Sequence, residues 1–399
     1  PASGLGGARF GSSADVITAN VAGRSVTLSG NPDYWGRGLP IRRGMQNFDE
    51  MRIEFYGDGA VMFEAFKAGQ LTVMREYNAD AWDTQYTFPA VDRGEVVKTE
   101  IPHNRPSGMT GFVLNTRRAP FDDWRVREAL MLAFNFEYIN DTITGGVQPR
   151  ITSYFANSEL AMRPGPAEGA VRALLEPLAD HLLPGTLEGY EMPVGDGTSR
   201  NRRNLRKAVK LLEEAGWTVQ DGVLRNAEGT AFSPRVLLRQ GAGDMIPVVD
   251  IYARALERLG ISLETEVVDN AQFTSREADL DFDITTFRRD LSLSPGNEQR
   301  LYWGSKGANQ PGTRNLMGID SPAVDALIET ILQSESHPDF VAAVRALDRV
   351  LTAGRYVIPI WQFDIGRIAH SSVIHHPESF PVYGDRPGLV ADTWWYKEN

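Results

Sequence analysis

Cysteine is absent from the 399 residues, which removes disulfides, thiolate catalysis and cysteine-held metals together. Also missing is any run approaching the roughly 20 apolar residues that span a bilayer. Basic charge is in short supply: 41 Lys and Arg stand against 52 Asp and Glu, a net charge of −11. Nucleic acid is therefore not an expected partner, because phosphate backbones are held mainly by clustered Lys and Arg. The basic residues that do cluster, Arg202, Arg203, Arg206, Lys207 and Lys210, fall on the outer face of a predicted helix and read as a solvated surface. Histidine is scarce and scattered, with six in all. His375 and His376 are adjacent, so in a strand they point to opposite faces and cannot share a metal. No metal and no cofactor is expected. The opening glycines Gly4, Gly6, Gly7 and Gly11 miss the dinucleotide-binding spacing, and no Gly-Lys-Ser/Thr phosphate loop occurs. The start of the chain shows neither the basic nor the apolar region of a signal peptide.

What is present is an ordinary globular composition, 42% hydrophobic and 23% charged. The length exceeds what one core usually organises, so two lobes are expected. Residues 15–29 alternate and turn like a small antiparallel unit. Met51, Ile53 and Phe55 alternate with polar residues as a half-buried strand. Asp58 is placed to cap the next helix, Gly69 to end it, and Leu71, Val73 and Met74 form another strand. A strand–helix–strand unit of this kind predicts parallel strands in one sheet. Gly111–Asn115 is a strand, and Asp122 precedes a helix carrying Val126, Ala129, Leu130, Ala133 and Phe134. A helix over residues 204–215 stops at Gly216. A second strand–helix–strand unit runs from Val236 to Val268. A helix pattern starts at Ala323, and one over residues 339–351 leads into the apolar strand Tyr356–Trp361. No repeat with a period of 20 to 50 residues is present.

Residues 292–319 spend many costly residue types where no regular pattern asks for them, and read as a long ordered loop following a strand. Loops of that kind on a rigid scaffold are where ligands are handled. Arg288, Asp290, Ser294, Asn297, Arg300, Trp303 and Asn315 suit a ligand with charges, amides and some apolar surface. The stretch Ser292–Gly296 lacks the first glycine of a nucleophile elbow, and no histidine follows closely. Asp279, Asp281 and Asp283 alternate and raise a paired-carboxylate hydrolase reading. The plainer reading is an exposed strand entrance with Leu280, Phe282 and Ile284 facing the core. Recognition without chemistry is the expectation, so the chain is not expected to be an enzyme.

Several segments carry a resemblance. They include Asn31-Pro-Asp-Tyr-Trp-Gly36, Ala65–Gln70, Phe112–Asn115 with Ala119–Ala129, Thr152–Leu160, Asn204–Ala208 with Glu214–Trp217, and Ser292–Trp303. Together they resemble the periplasmic solute-binding proteins of peptide-type ABC importers, family 5, closest to the oligopeptide and microcin C uptake branch. That resemblance implies an α/β, two-lobed periplasmic binding protein fold of type II, peptide-binding class. It further implies a chain lacking the N-terminal part of lobe one and an accessory domain, with weak ligand binding by such a fragment. Residues 1–110 and 366–399 are then the remainder of lobe one, and residues 111–365 are lobe two. The implied function is capture of an oligopeptide or peptide conjugate between the lobes for delivery to an inner-membrane permease, in the periplasm, by a monomer. Asp290 is the implied partner of a ligand ammonium group. Arg288 or Arg300 would take a carboxylate or phosphate, and Asn297 and Asn315 would meet peptide amides. Phe287 and Trp303 would be apolar walls, with Phe112 and Asn115 at the hinge. A secreted hydrolase of peptides or glycans and a ligand-presenting sensor remain the alternatives.

Overall fold

The computed structural model describes residues 12–242, 245–386 and 388–398, so the opening glycines Gly4, Gly6, Gly7 and Gly11 lie outside the described residues. In chain order the strands are β1 (Asp15–Val21), β2 (Ser25–Gly30), β3 (Glu50–Glu54), β4 (Val73–Glu76), β5 (Val96–Pro102), β6 (Met109–Leu114), β7 (Thr218–Gln220), β8 (Val223–Arg225), β9 (Arg235–Arg239), β10 (Glu264–Val268), β11 (Ile284–Arg289), β12 (Val357–Pro359), β13 (Ile365–Ser371), β14 (Ile374–His375) and β15 (Trp395–Tyr396). The helices follow the same convention. They are α1 (Gly59–Lys67), α2 (Ala79–Thr84), α3 (Pro89–Asp92), α4 (Trp124–Ala133), α5 (Phe136–Thr144), α6 (Gly169–Leu175), α7 (Arg202–Glu214), α8 (Ile246–Glu257), α9 (Asn270–Ala278), α10 (Glu298–Trp303), α11 (Pro322–Gln333), α12 (His337–Ala353) and α13 (Leu389–Thr393).

The chain divides into two units: unit 1 runs to Asn104 and resumes at Asp364, and unit 2 is Arg105–Phe363. Both divisions fall earlier than the sequence boundaries at 110/111 and 365/366. At the first the reason is local: Ser107 N–H already donates to Ala156 O at 2.8 Å, inside unit 2, before β6 begins.

In unit 1, β1, β2 and β3 form an antiparallel sheet. Ile53 and the adjoining Phe55 are 47% and 56% exposed, so this strand does not bury the apolar side its alternation predicted. Asp58 caps α1 by accepting from the Ala60 and Val61 N–H groups. The helix ends as expected: Gly69, at φ +73°, donates to Phe66 O while Gln70 donates to Ala65 O. The predicted parallel pairing of β3 with β4 is not formed. β3 is hydrogen-bonded to β2, whereas β4 lies in a second sheet, antiparallel to β13, which also pairs antiparallel with β5. A strand from the far end of the chain thus takes the place a local crossover would have filled.

Unit 2 is built on a five-stranded sheet in the order β10-β9-β11-β6-β12. β9, β10 and β11 run parallel, while β6 is antiparallel to both β11 and β12. The β9–α8–β10 crossover matches its expectation. Side chains of a strand alternate between faces, and the sheet buries both. Phe112 and Leu114 join one hydrophobic cluster with Leu130, Leu212 and Tyr252. Val113 between them joins another with Leu237, Phe273, Leu327 and Leu347. Gly111 is required in β6 because a Cβ there would run into the Ile358 carbonyl of β12. Asp123, one residue later than expected, caps α4 by accepting from Arg125 N–H. Buried Asp348 of α12 accepts from Ser153 Oγ, Tyr154 N–H and Met162 N–H at 2.7–2.8 Å. It thereby pins residues 153–162, and burial pushes its carboxyl up to about 6.

Candidate ligand-binding site

Parallel strands in an open sheet offer a ligand their carboxyl ends. In unit 2 those ends are Arg239 on β9, Val268 on β10 and Arg289 on β11, in register through Arg239–Val268 and Ile284–Val236 pairings. Arg288 is exposed there, and its Nε lies 3.4 Å from Asp290 Oδ1, with side chains 57% and 70% exposed. Such a pair contributes little and opens readily to other partners. The Arg289 guanidinium stands 4.2 Å over the Tyr302 ring, and its Nε is buried without a hydrogen-bond partner. Arg239 lies 4.6 Å over Phe273. Burial pushes the Glu277 carboxyl upward, opposed by the charges of Arg239 and Arg289. The rim therefore holds three guanidinium groups and two carboxylates beside aromatic surface. It is equipped to meet both an anionic and a cationic end of a ligand.

The residues singled out in the sequence divide in two. Arg288, Asp290, Ser294, Asn297 and Arg300 lie at least partly open to solvent. Of these, Arg300 is bidentate to Glu329 of α11 at 2.7 Å and also donates to Asn297 Oδ1, so its side chain is engaged on both sides. Phe112, Asn115, Phe287, Trp303 and Asn315 are buried inside unit 2. Phe112 packs edge-on against Phe134 in the core. Asn115 donates to the carbonyls of Leu280 and Phe282 while its Oδ1 accepts from Arg117. Asn315 donates to the Gly304 and Ile319 carbonyls and accepts from the Gly318 and Ile319 amides. Trp303 is fully buried, with Nε1 donating to Gln299 Oε1, and Phe287 packs at its ring edge. The expected walls and amide contacts of these five are thus taken up by internal packing and loop bracing. Part of the supposed loop is helix α10, whose Gln299 and Trp303 turn inward one helical turn apart.

Arg239, Arg289 and Glu277 escaped the sequence reading. Arg289 was available as the neighbour of Arg288, but Arg239 is brought in by strand register and Glu277 by helix α9, which packs against β9. Asp281 and Asp283, two of the three carboxylates of the hydrolase reading, both pair with Arg118 at 2.9 and 2.8 Å. The hydrogen bond from Arg118, ahead of other causes, holds the Asp281 carboxyl below its ordinary range. Leu280 is partly buried while Phe282 and Ile284 face the core, as the plainer reading expected. Among the described residues no group of three His, Asp or Glu is arranged to hold a metal. No described helix is long and apolar enough to cross a membrane.

A family model for bacterial extracellular solute-binding proteins, family 5 Middle, matches residues 11–311. The chain belongs to this family. It is 39% identical over 391 residues to a protein of Agrobacterium fabrum named a probable peptide-binding protein, YejA, covering 97% of this chain and 62% of that one. A second Agrobacterium fabrum relative, the peptidoglycan-binding protein YepA, is 36% identical, covering 94% and 61%. The chain thus spans less than two thirds of these relatives' own length. Among solved structures, the oligopeptide-binding protein AppA of Bacillus subtilis, in complex with a nonapeptide, matches with a TM-score of 0.71 at 15% identity, covering 96% of this chain and 66% of AppA. The family 5 chain therefore has the α/β fold of the type II, peptide-binding class.

Proposed function

We propose that this family 5 chain belongs to the substrate-binding component of an ABC importer, which captures oligopeptides or peptide conjugates and hands them to an inner-membrane permease. The observation that carries this reading is the charged rim at the carboxyl ends of β9 and β11. Arg288, Arg289 and Arg239 suit a carboxylate, or the phosphate of a peptide–nucleotide conjugate of the microcin C kind. Asp290 suits an ammonium group, and Ser294 adds a small polar contact. A peptide is the common ligand that carries both charges with apolar side chains between them. The names of YejA and AppA point the same way. The protein works in the periplasm, as a monomer, and holds its ligand without consuming it.

Mass spectrometry of small molecules released by denaturing the freshly purified protein tests this directly. A ladder of short peptides is the expected result, whereas a single non-peptide species would sink the peptide reading. Calorimetry with a released peptide then locates the site. Asp290→Ala and Arg289→Ala should each weaken binding about tenfold or more, from loss of a charge-assisted hydrogen bond of about 1.5–3 kcal/mol. A ligand peptide that is cleaved on incubation would return the hydrolase alternative.

A further inference from the structure

Three charged side chains near the carboxyl ends of β9 and β11 act on one another without bonding. Arg239 lies 4.6 Å over Phe273 of α9, and Glu277 sits one helical turn further along that helix. Arg289 lies 4.2 Å over Tyr302. Burial pushes the Glu277 carboxyl upward, and the charges that pull it back are those of Arg239 and Arg289. Among the described residues, none of the three side chains makes a hydrogen bond or an ion pair. The rings account for this, because a guanidinium held over an aromatic face is kept in place without a carboxylate.

Such a cluster differs from arginines that are simply solvated. Arg289 is half-buried, and its Nε is buried without a partner. Its terminal nitrogens and both Glu277 carboxylate oxygens are not buried, so a ligand can reach them. At the same strand end Arg288 is, by contrast, already paired with Asp290.

We propose that Glu277 sets the charge of the ligand group accepted here: a singly charged carboxylate end is taken, and a doubly charged phosphate or phosphonate end is rejected. The proposal rests on the peptide-binding reading and names the end group that such a ligand carries. Two guanidinium groups and one carboxylate leave a single positive charge, which one carboxylate neutralises. A dianion leaves an excess negative charge beside a half-buried carboxylate, in a chain whose net charge is already −11. Like charges brought together in a partly desolvated site exclude a wrong partner. Arg239 and Arg289 supply the attraction, and Glu277 selects by repulsion. A phosphate esterified on both sides, as within a conjugate, carries one charge and passes the same filter.

Calorimetry on the whole chain at low salt and about pH 8 tests this with three probes. They are tetraalanine, its C-terminal amide, and the analogue in which a phosphonate replaces the terminal carboxylate. Wild type should bind tetraalanine about tenfold or more tightly than either of the others. Glu277→Gln should shift the ratio toward the phosphonate by about tenfold, the effect of one unit charge at short range near a protein surface. Glu277→Asp keeps the charge and should keep the wild-type preference. Damage to the fold would weaken all three probes alike, so the ratio separates selection from instability. Glu213→Gln, on the exposed side of α7, should change nothing. An unchanged ratio in Glu277→Gln overturns the proposal, as does a wild type that takes the amide or the phosphonate as readily as tetraalanine. If none of the three binds wild type, the peptide reading itself falls, and this proposal with it.

Discussion

Asn315 and Asn297 are the same residue type some twenty positions apart in one segment, and their environments make them opposites. Asn315 is fully buried and serves two carbonyls and two amides, so truncation strands several polar groups at once. Asn315→Ala is expected to cost about 2–4 kcal/mol in urea unfolding, at about 1–3 kcal/mol for each group left unsatisfied. Asn297 lies at the surface, where its Oδ1 accepts only from Arg300, and Asn297→Ala should stay within about 0.5 kcal/mol. Asp348 gives a pH-dependent case. Burial raises its folded pKa to about 6 from the ordinary 3.8. Its contribution to stability is therefore fully present below about pH 4 and is lost as pH rises through 6. The loss amounts to about 3 kcal/mol by linkage. Urea titrations of wild type and Asp348→Asn across pH 4 to 7 isolate this group, because other carboxylates, such as Asp281 with its lowered pKa, cancel in the difference. A wild-type advantage that falls with rising pH is the expected outcome, and a flat difference would contradict it.

Helix ends were the most legible elements, because caps are local chemistry. Asp58, Gly69 and Gly216 each do what their position promised. Gly216 sits at φ +86° and donates to Glu213 O, while Trp217 donates to Leu212 O. A Cβ at Gly216 would meet nothing within 4 Å, so Gly216→Ala carries only backbone strain. It should lower stability by about 1–2 kcal/mol, read as a shifted urea midpoint with unchanged slope. The basic outer face of α7 also came out exposed as read, with Leu205, Ala208 and Leu212 buried beneath it. Other elements were harder. The β7–β8 hairpin turns on Asp221-Gly222, both at positive φ, a signal that was present but unused. α10 went unseen because Pro295 and Gly296 mark a loop just before it, and six residues are too few to show a period.

At the scale of the whole molecule, ligand capture should appear as stabilisation. A peptide at about a hundred times its dissociation constant adds about 2.7 kcal/mol, so the thermal midpoint should rise with peptide concentration. Asp290→Ala should remove most of that rise, while Arg300→Ala, whose side chain is spent on Glu329, should leave it. An equal loss in both variants would move the site from the strand ends to α10.

Composition, caps and hydrophobic period are properties of neighbours in sequence, and they sufficed for the α/β class and the longer helices, while short motifs carried the family resemblance. Contacts between distant residues needed the tertiary structure. Local propensity contains nothing that inserts β13 between β4 and β5, or that sets Arg239 beside Arg289. Burial is decided the same way: Trp303 and Asn315 looked like ligand contacts because polar and aromatic residues in a loop suit either role. Only the packing of α10 and α11 around them assigns their hydrogen bonds to the protein itself, whereas Arg288 and Asp290, one strand end away, are left facing solvent.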